Sequence, residues 1–388
     1  MNFNQSDVRP LVDDGFAGEP TKRTLQYIQN KRQEGYPVVG IYCGFAPLEL
    51  IKAMDATVAV LCAFSNNTIA KGEEVLPANL CPLIKSSYGF ISGDTCPFYA
   101  FSDVVVAETT CDGKKKMFEL ISHIKPLHVM DLPHVPDDRE AEKNWTAMIR
   151  KLQVFLEEHL KVHAGDEKIE AAIKDTNLKT RKLNTIFDYA ARKPTVMNWR
   201  ELYDLTFLGQ PATMADMGPI LDKAIETLEE RVEKGIFYGA PDAPRVLITG
   251  CPVAGDATKV YKIIEEVGGV IVAVDSCTGM KPYAEEIEED TPDPCAALAQ
   301  RYLKIACSCM TPNKRRTTEL EQYINRFKPD VIIDVTLHAC HGYNVESHKV
   351  MKWAEERKLP FLQIETDYST GDVGQIRTRV EALLEMVR

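Results

Sequence analysis

The stretch "DVVVAETTCDGKKKMFELI", residues 103–121, joins a run of β-branched apolar residues to Cys111 and then to a helical pattern. A second stretch, "DVIIDVTLHACHGYNVESHKVMKW" at residues 330–353, repeats this order around Cys340. Apolar runs of this length, alternating with helices, are typical of strands buried on both faces of a parallel sheet. Each stretch therefore predicts a strand, a cysteine at its carboxyl end and a following helix.

Similar strands form two series on either side of a helical section. They are predicted at residues 37–43, 56–62, 102–111 and 125–133, and again at 244–251, 270–277, 301–309, 330–340 and 359–369. Residues 139–236 carry apolar residues at three- and four-residue spacing, which indicates helices. We expect an α/β fold with two doubly wound, Rossmann- or flavodoxin-like parallel-sheet domains related by internal duplication. The expected boundaries are 1–138 for the first domain, 139–243 for the helical section and 244–388 for the second domain.

Composition argues against several classes of protein. The 388 residues are 45% hydrophobic and 27% charged, and no apolar run approaches the ~18 residues that a membrane span requires. The first residues, "MNFNQSDVRPLVDDGF", carry acids instead of a basic and then apolar leader, so we expect a cytoplasmic location. A net charge of -11, with no run of more than three consecutive Lys or Arg residues, argues against a nucleic-acid partner.

The chain has eleven cysteines, an odd number that makes a disulfide framework a poor explanation in a reducing compartment. Ligands of open parallel sheets bind beyond the carboxyl ends of the strands. The cysteines predicted to lie there are Cys43, Cys111, Cys251, Cys277, Cys309 and Cys340. Gathered thiolates suit zinc or an iron–sulfur cluster. Because no CxxC pair typical of zinc ribbons is present, the wide spacing favours a larger cluster.

Three other cysteines are interpreted as structural. Cys96 precedes its predicted strand and should be roughly 20 Å from Cys111. Cys295 lies in the acidic segment "EEDTPDPCAAL", without a strand beside it. Cys62 ends a strand, but its apolar surroundings in "VAVLCAFS" favour a packed thiol.

Six segments resemble, in order, the D-component proteins of the 2-hydroxyacyl-CoA dehydratase family. They are "NLCPLIKSSYGF" (79–90), "ETTCDGKKKMFEL" (108–120), "SCTGMKPY" (276–283), "CSCMTPN" (307–313), "ACHGYNVES" (339–347) and "QIETDYSTGDVGQIRTRVEALLEM" (363–386). The resemblance covers the chain from about residue 35 to its end. It implies one cubane iron–sulfur cluster held by Cys81, Cys111 and Cys340. Three thiolates would leave one iron with an open position.

Two positions depart from the common dehydratase pattern. Gly44, in "YCGFAPLEL", stands where dehydratases commonly have a hydroxyl residue, and Cys251, in "TGCPVAG", stands where they have Thr or a similar residue. With these departures the chain looks most like the double-cubane cluster proteins, in which two cubanes share a bridging sulfide as an [8Fe-9S] cluster. The resemblance then implies a second cubane on Cys251, Cys277 and either Cys43 or Cys309.

The resemblance also implies an activity and partners. We expect an oxygen-sensitive, homodimeric iron–sulfur reductase that reduces a small molecule with electrons from a separate homodimeric iron–sulfur ATPase. The chain has no G-x-x-x-x-G-K-[ST] loop, so no ATP site is expected here. One alternative is a subunit of a 2-hydroxyacyl-CoA dehydratase, a lyase with a ketyl-radical mechanism and one [4Fe-4S] cluster. Another is an electron-transfer or maturation protein without turnover.

Residues beside the cysteines provide further candidates. His341 is adjacent to Cys340 and is a candidate proton donor, and Glu49 in "APLEL" is placed to reach the cleft. A structural, hydrogen-bonded role is the alternative for His341. The lysines at 114–116 open a helix after Cys111, where they could stabilise an anionic cluster, dock a partner or form a solvated face.

Overall fold

A computed structural model describes residues 9–388 and contains two parallel sheets of four strands each. The first has the order β2-β1-β3-β4, with β1 (Val38–Ile41), β2 (Thr57–Val60), β3 (Val104–Glu108) and β4 (Leu127–Met130). The second has the order β6-β5-β7-β8, with β5 (Arg245–Gly250), β6 (Val270–Asp275), β7 (Val331–Leu337) and β8 (Phe361–Thr366). The identical strand order confirms the α/β fold with two related parallel-sheet domains.

Fifteen α-helices accompany the strands in the part of the chain that the structure describes. Those around the first sheet are α1 (Pro20–Gln33), α2 (Leu48–Ala53), α3 (Ile69–Gly72), α4 (Pro82–Ser92), α5 (Pro97–Phe101) and α6 (Asp112–Ser122). The middle of the chain forms α7 (Ala141–Leu160), α8 (Asp166–Ala191), α9 (Trp199–Gly209) and α10 (Met214–Glu233). Those around the second sheet are α11 (Lys259–Glu266), α12 (Pro294–Leu303), α13 (Arg315–Phe327), α14 (His341–Glu356) and α15 (Val373–Glu385).

The burial of the strands explains why their sequences are continuous apolar runs. Every residue of the inner strands β1, β3, β5 and β7 and of the edge strand β6 is buried, whereas the edge strands β2, β4 and β8 are partly exposed. Because helices cover both faces of the inner strands, these segments can be continuously apolar instead of alternating. Among the helices of residues 9–388, none is both long and apolar enough to cross a lipid bilayer.

The middle helices connect the two halves of the chain. α8 packs against α2 on one side and against α12 and α13 on the other, while α7 packs against both β4 and α12. Direct contacts also join the halves: the Asp256 amide donates to the Phe64 carbonyl at 2.8 Å, and the Asn66 amide donates to the Asp256 carboxylate at 2.7 Å. The carboxyl ends of both sheets are thereby held at one shared cleft.

The strand predicted at residues 301–309 is wrong. Residues 294–303 form α12 instead, because the Asp293 side chain caps its first turn by accepting from the amides of Cys295 and Ala296, and Pro294 occupies the first turn. A loop follows the helix. Cys295 therefore lies inside a helix, and Cys309 lies in a loop instead of at the end of a strand.

Candidate functional site

A cavity of about 900 Å³ lies at the carboxyl ends of the two sheets. Ten of the eleven cysteines line it, namely Cys43, Cys62, Cys81, Cys96, Cys111, Cys251, Cys277, Cys307, Cys309 and Cys340. The remaining cysteine, Cys295, is buried within α12. The structure thus brings every candidate ligand predicted from the sequence to one cavity.

One set of thiols, here called the Cys340 group, consists of Cys81, Cys251 and Cys340. The Cys340 thiol is hydrogen-bonded to both Cys251 and Cys81, so this group joins the two halves of the chain. The hydrogen bond with Cys340, followed by burial, raises the pKa of the Cys81 thiol well above its usual value. The Leu337 amide also donates to Cys251 Sγ at 3.4 Å.

A second set, here called the Cys307 group, consists of Cys43, Cys277, Cys307 and Cys309. The hydrogen bond from Cys309 lowers the pKa of Cys307 to about 5, and the Tyr343 hydroxyl donates to Cys307 Sγ at 3.9 Å. Burial raises the pKa of Cys277 to about 12 and that of Cys43 well above its usual value. Sequence reasoning did not select Cys307, although its CxC spacing with Cys309 was visible.

Cys81, Cys111 and Cys340 occupy equivalent positions, each at the N-terminus of a helix. They are the N-cap residues of α4, α6 and α14, respectively. Unpaired amides and the helix dipole make such a position favourable for a thiolate. Cys111 differs from the other two because it is exposed and lies on the cavity wall outside both thiol groups.

Two of the three cysteines interpreted as structural, Cys62 and Cys96, also line the cavity. The Cys62 thiol donates to the Tyr42 carbonyl at 2.9 Å. Cys96 caps α5, and its sulfur accepts from the Tyr99 amide at 3.3 Å. Both thiols are therefore engaged with nearby backbone groups.

The two candidate catalytic residues lie on the cavity wall in different surroundings. His341 is the first residue of α14 and is exposed. Glu49 is 1% exposed, and its carboxylate accepts from the Tyr302 hydroxyl at 2.9 Å. The Leu48 amide donates to the same hydroxyl at 3.0 Å. Glu49 is thus held in a contact between the two halves, while His341 is free to meet solvent.

The soft-donor content of this cavity fits an iron–sulfur cluster. Within residues 9–388, no three His, Cys, Asp or Glu side chains converge closely enough to bind a single metal ion. The thiols are instead distributed around the cavity wall, with at least three in each group.

A profile of the 2-hydroxyglutaryl-CoA dehydratase D-component family, HGD-D, matches residues 43–387. The chain belongs to this family. The match begins at a cysteine of the cavity wall, just after β1, and includes the other seven strands of the two sheets.

Relatives of the HGD-D chain include subunits of dehydratases and of a reductase. The Escherichia coli (strain K12) protein "Putative dehydratase subunit YjiM" is 39% identical over 97% of this chain and 98% of its own length. The (R)-phenyllactyl-CoA dehydratase beta subunit of Clostridium sporogenes is 22% identical, over 98% and 97%. A benzoyl-CoA reductase subunit of Thauera aromatica is 20% identical, over 80% and 77%. The HGD-D chain is thus related to enzyme subunits of both kinds.

A buried ion-pair network lies behind the Cys307 group of the HGD-D chain. Asp275, fully buried at the end of β6, pairs with Lys281 at 2.8 Å and with Arg316 at 2.5 Å. Arg316 also donates to the Thr249 hydroxyl at 2.6 Å. Burial alone raises the pKa of Asp275, but the two cations outweigh it and lower the pKa to about 2. The Asp275 side chain is therefore an ionised carboxylate whose negative charge is balanced by Lys281 and Arg316.

The same network is joined to three cysteine-bearing loops. Thr249 and Asp275 each precede a cysteine of the cavity by two residues. Lys281 Nζ also donates to the carbonyl of Ala306 at 3.3 Å, next to Cys307. One set of ion pairs therefore fixes the backbone on which thiols of both groups are carried.

We expect Asp275→Asn to lower the free energy of unfolding by about 3 kcal/mol, because it removes the buried anion that Lys281 and Arg316 share and leaves them only Glu319 and Glu346, respectively. Urea denaturation of the cluster-free chain measures this change. Glu266→Gln is the control, since it removes one member of an exposed pair with Arg377 and should change the stability by less than about 1 kcal/mol. Equal effects of the two substitutions would contradict the assigned role of Asp275.

Glu108 is a second buried acid beside the cavity. It ends β3, is fully buried, and neither carboxyl oxygen has a hydrogen-bond partner among the described residues. Burial raises its pKa from 4.5 to about 8, although Lys114 and the Ala46 backbone act in the opposite direction. The folded chain therefore binds this proton more tightly than the unfolded chain.

This shift predicts the pH dependence of stability. Between pH 4.5 and about 8 the folded state retains a proton that the unfolded state loses, so Glu108 should lower stability by at most about 1.4 kcal/mol per pH unit as pH rises. Glu108→Gln should remove this component. Urea denaturation of the wild-type and Glu108→Gln chains at pH 5.5 and 8 measures this component. The variant should be more stable relative to the wild type at pH 8 than at pH 5.5. A difference in stability that does not change with pH would contradict the raised pKa of Glu108.

Proposed function

We propose that this HGD-D chain is an iron–sulfur reductase with a double-cubane [8Fe-9S] cluster in the cavity between its sheets. The observation that carries this proposal is the presence of two thiol groups, the Cys340 group and the Cys307 group, in one cavity. Two cubanes that share a bridging sulfide need six thiolates, three for each. The seven thiols of the two groups and Cys111 all line this cavity, so the donor set is sufficient.

The ligands proposed for the first cubane are Cys81, Cys111 and Cys340, and those for the second are Cys251 and Cys277 with Cys43 or Cys309. The hydrogen bond between Cys251 and Cys340 supports this arrangement, because neighbouring ligands of two cubanes should lie close to the sulfide that joins them. Cys307 is a further candidate for the last position, since it is buried and accepts from Tyr343.

Gly44 provides a second argument for a cluster beside Cys277. A Cβ atom added at Gly44 would lie 3.9 Å from Cys277 Sγ. A hydroxyl side chain at this position could therefore reach the thiol and occupy the space in front of it. The absence of a side chain keeps this part of the cavity open to a ligand of the sulfur.

The proposed cluster requires a strong electron donor, because clusters rich in thiolate and sulfide have low reduction potentials. We propose that a separate homodimeric iron–sulfur ATPase supplies the electrons, since the chain carries no P-loop motif. His341, exposed on the cavity wall, is the proposed proton donor to a small-molecule substrate, and Glu49 is a second proposed acid. We further propose that the chain works as a cytoplasmic homodimer.

A second candidate function is supported by the relative named (R)-phenyllactyl-CoA dehydratase beta subunit, which aligns over 98% of this chain. The chain would then be a subunit of a 2-hydroxyacyl-CoA dehydratase, with one [4Fe-4S] cluster on Cys81, Cys111 and Cys340. Gly44 and Cys251 argue against this function, because both depart from the common dehydratase pattern.

Iron and acid-labile sulfide per chain, measured after anaerobic purification, test the proposal. We expect about eight irons in the wild-type chain and about four in Cys251→Ala, because loss of one ligand should release one cubane. Cys295→Ala is the control: it removes a thiol outside the cavity and should retain about eight irons.

The other outcomes separate the alternatives. About four irons in both the wild type and Cys251→Ala would favour the dehydratase subunit with one cubane. Stoichiometric zinc without iron would rule out both iron–sulfur functions.

A further inference from the structure

Three consecutive lysines follow Cys111 at the start of α6, and they face different surroundings. Lys115 pairs with Asp112 at 2.7 Å and Lys116 pairs with Glu119 at 2.5 Å, both on the exposed side of the helix. Lys114 lines the cavity, and its Nζ donates to the Tyr42 carbonyl at 3.3 Å. The three lysines therefore do not form a single solvent-exposed face of the helix.

The charge of Lys114 interacts with three thiols of the cavity wall. Burial acts to lower its pKa, but the interactions of its charge with Cys62, Cys43 and Cys111 outweigh burial and raise the pKa. Among residues 9–388, no carboxylate forms an ion pair with it within 4.0 Å. Lys114 is half-buried, and a partly dehydrated cation without a paired carboxylate would be stabilised by an anion held in the cavity.

The charge of Glu108 also interacts with that of Lys114, but the two side chains form no ion pair. Its carboxyl group is fully buried without a hydrogen-bond partner among the described residues, and its pKa of about 8 keeps it largely protonated at neutral pH. The positive charge of Lys114 is thus left to act on the contents of the cavity.

We propose that Lys114 is a positioning residue that holds a fixed positive charge against the thiolate-ligated cluster and raises its reduction potential. This inference rests on the proposed function, because it requires the cluster. Reduction adds one negative charge to the cluster, and a nearby cation in a confined site stabilises the reduced form more than the oxidised form. The N-terminus of α6 acts in the same direction.

Substitution of the neighbouring lysines provides a matched comparison. Lys114→Met removes the inward charge, Lys115→Met removes an exposed charge of the same helical turn, and Lys114→Arg retains the inward charge. Iron and sulfide are first measured in each chain, and the midpoint potential is then determined by anaerobic titration followed by electron paramagnetic resonance. We expect a more negative potential in Lys114→Met alone, with Lys115→Met and Lys114→Arg close to wild type.

The outcomes distinguish this inference from the proposed function. A loaded Lys114→Met chain with the wild-type potential overturns the role of Lys114 and leaves the cluster proposal standing. A wild-type chain without iron overturns the cluster proposal and the inference together. If Lys114→Met does not load iron, Lys114→Gln replaces it, since the amide can still donate to the Tyr42 carbonyl without a charge. A wild-type potential in loaded Lys114→Gln then overturns the inference.

Discussion

The pairing of buried Asp275 with Lys281 and Arg316 is the constraint on which the second half of the cavity depends. A carboxylate excluded from water must be matched by nearby cations, and the geometry of the match is therefore strict. Asp275 ends β6, Arg316 donates to Thr249 near the end of β5, and Lys281 donates to the backbone next to Cys307. The geometry of these ion pairs therefore restricts the positions of the cavity thiols. A site that binds one group through several thiols needs such fixed positions, because every thiol must already be in place when the group binds.

The first sheet has the same strand order as the second, but its cysteines are held at the cavity by different interactions. If Cys43 and Cys62 correspond to Cys251 and Cys277, the residues two positions earlier are Ile41 and Val60, which are apolar where the second half has Thr249 and Asp275. No ion pair can form from these side chains. The N-termini of α4 and α6 present Cys81 and Cys111 instead, and Lys114 supplies the charge. The two halves, although alike in strand order, thus hold their cysteines at the cavity in different ways.

The sequence predicted the two sheets because fully buried parallel strands are continuous β-branched runs, a strong signal. It failed at residues 301–309, where an apolar run belongs to the end of α12 and a loop; Asp293 and Pro294 were the helix-start signal that was missed. Strand-end position located most cavity cysteines. It could not select Cys307, whose place depends on a loop, or predict that Cys111 is exposed while Cys340 is half-buried, because both follow strands in the same pattern.

The distribution of charge also favours an anionic occupant of the cavity. The chain has a net charge of -11, yet Lys52, Lys114 and Lys179 on the cavity wall form no ion pair with a carboxylate in the described part. Lys52 and Lys179 both donate to the Ala212 carbonyl, at 3.2 and 2.6 Å. Burial and then the nearby Lys52 charge lower the pKa of Lys179, and an anion beside the pair would reverse that shift. The anionic cluster proposed for this cavity would supply the negative charge that these three amines lack.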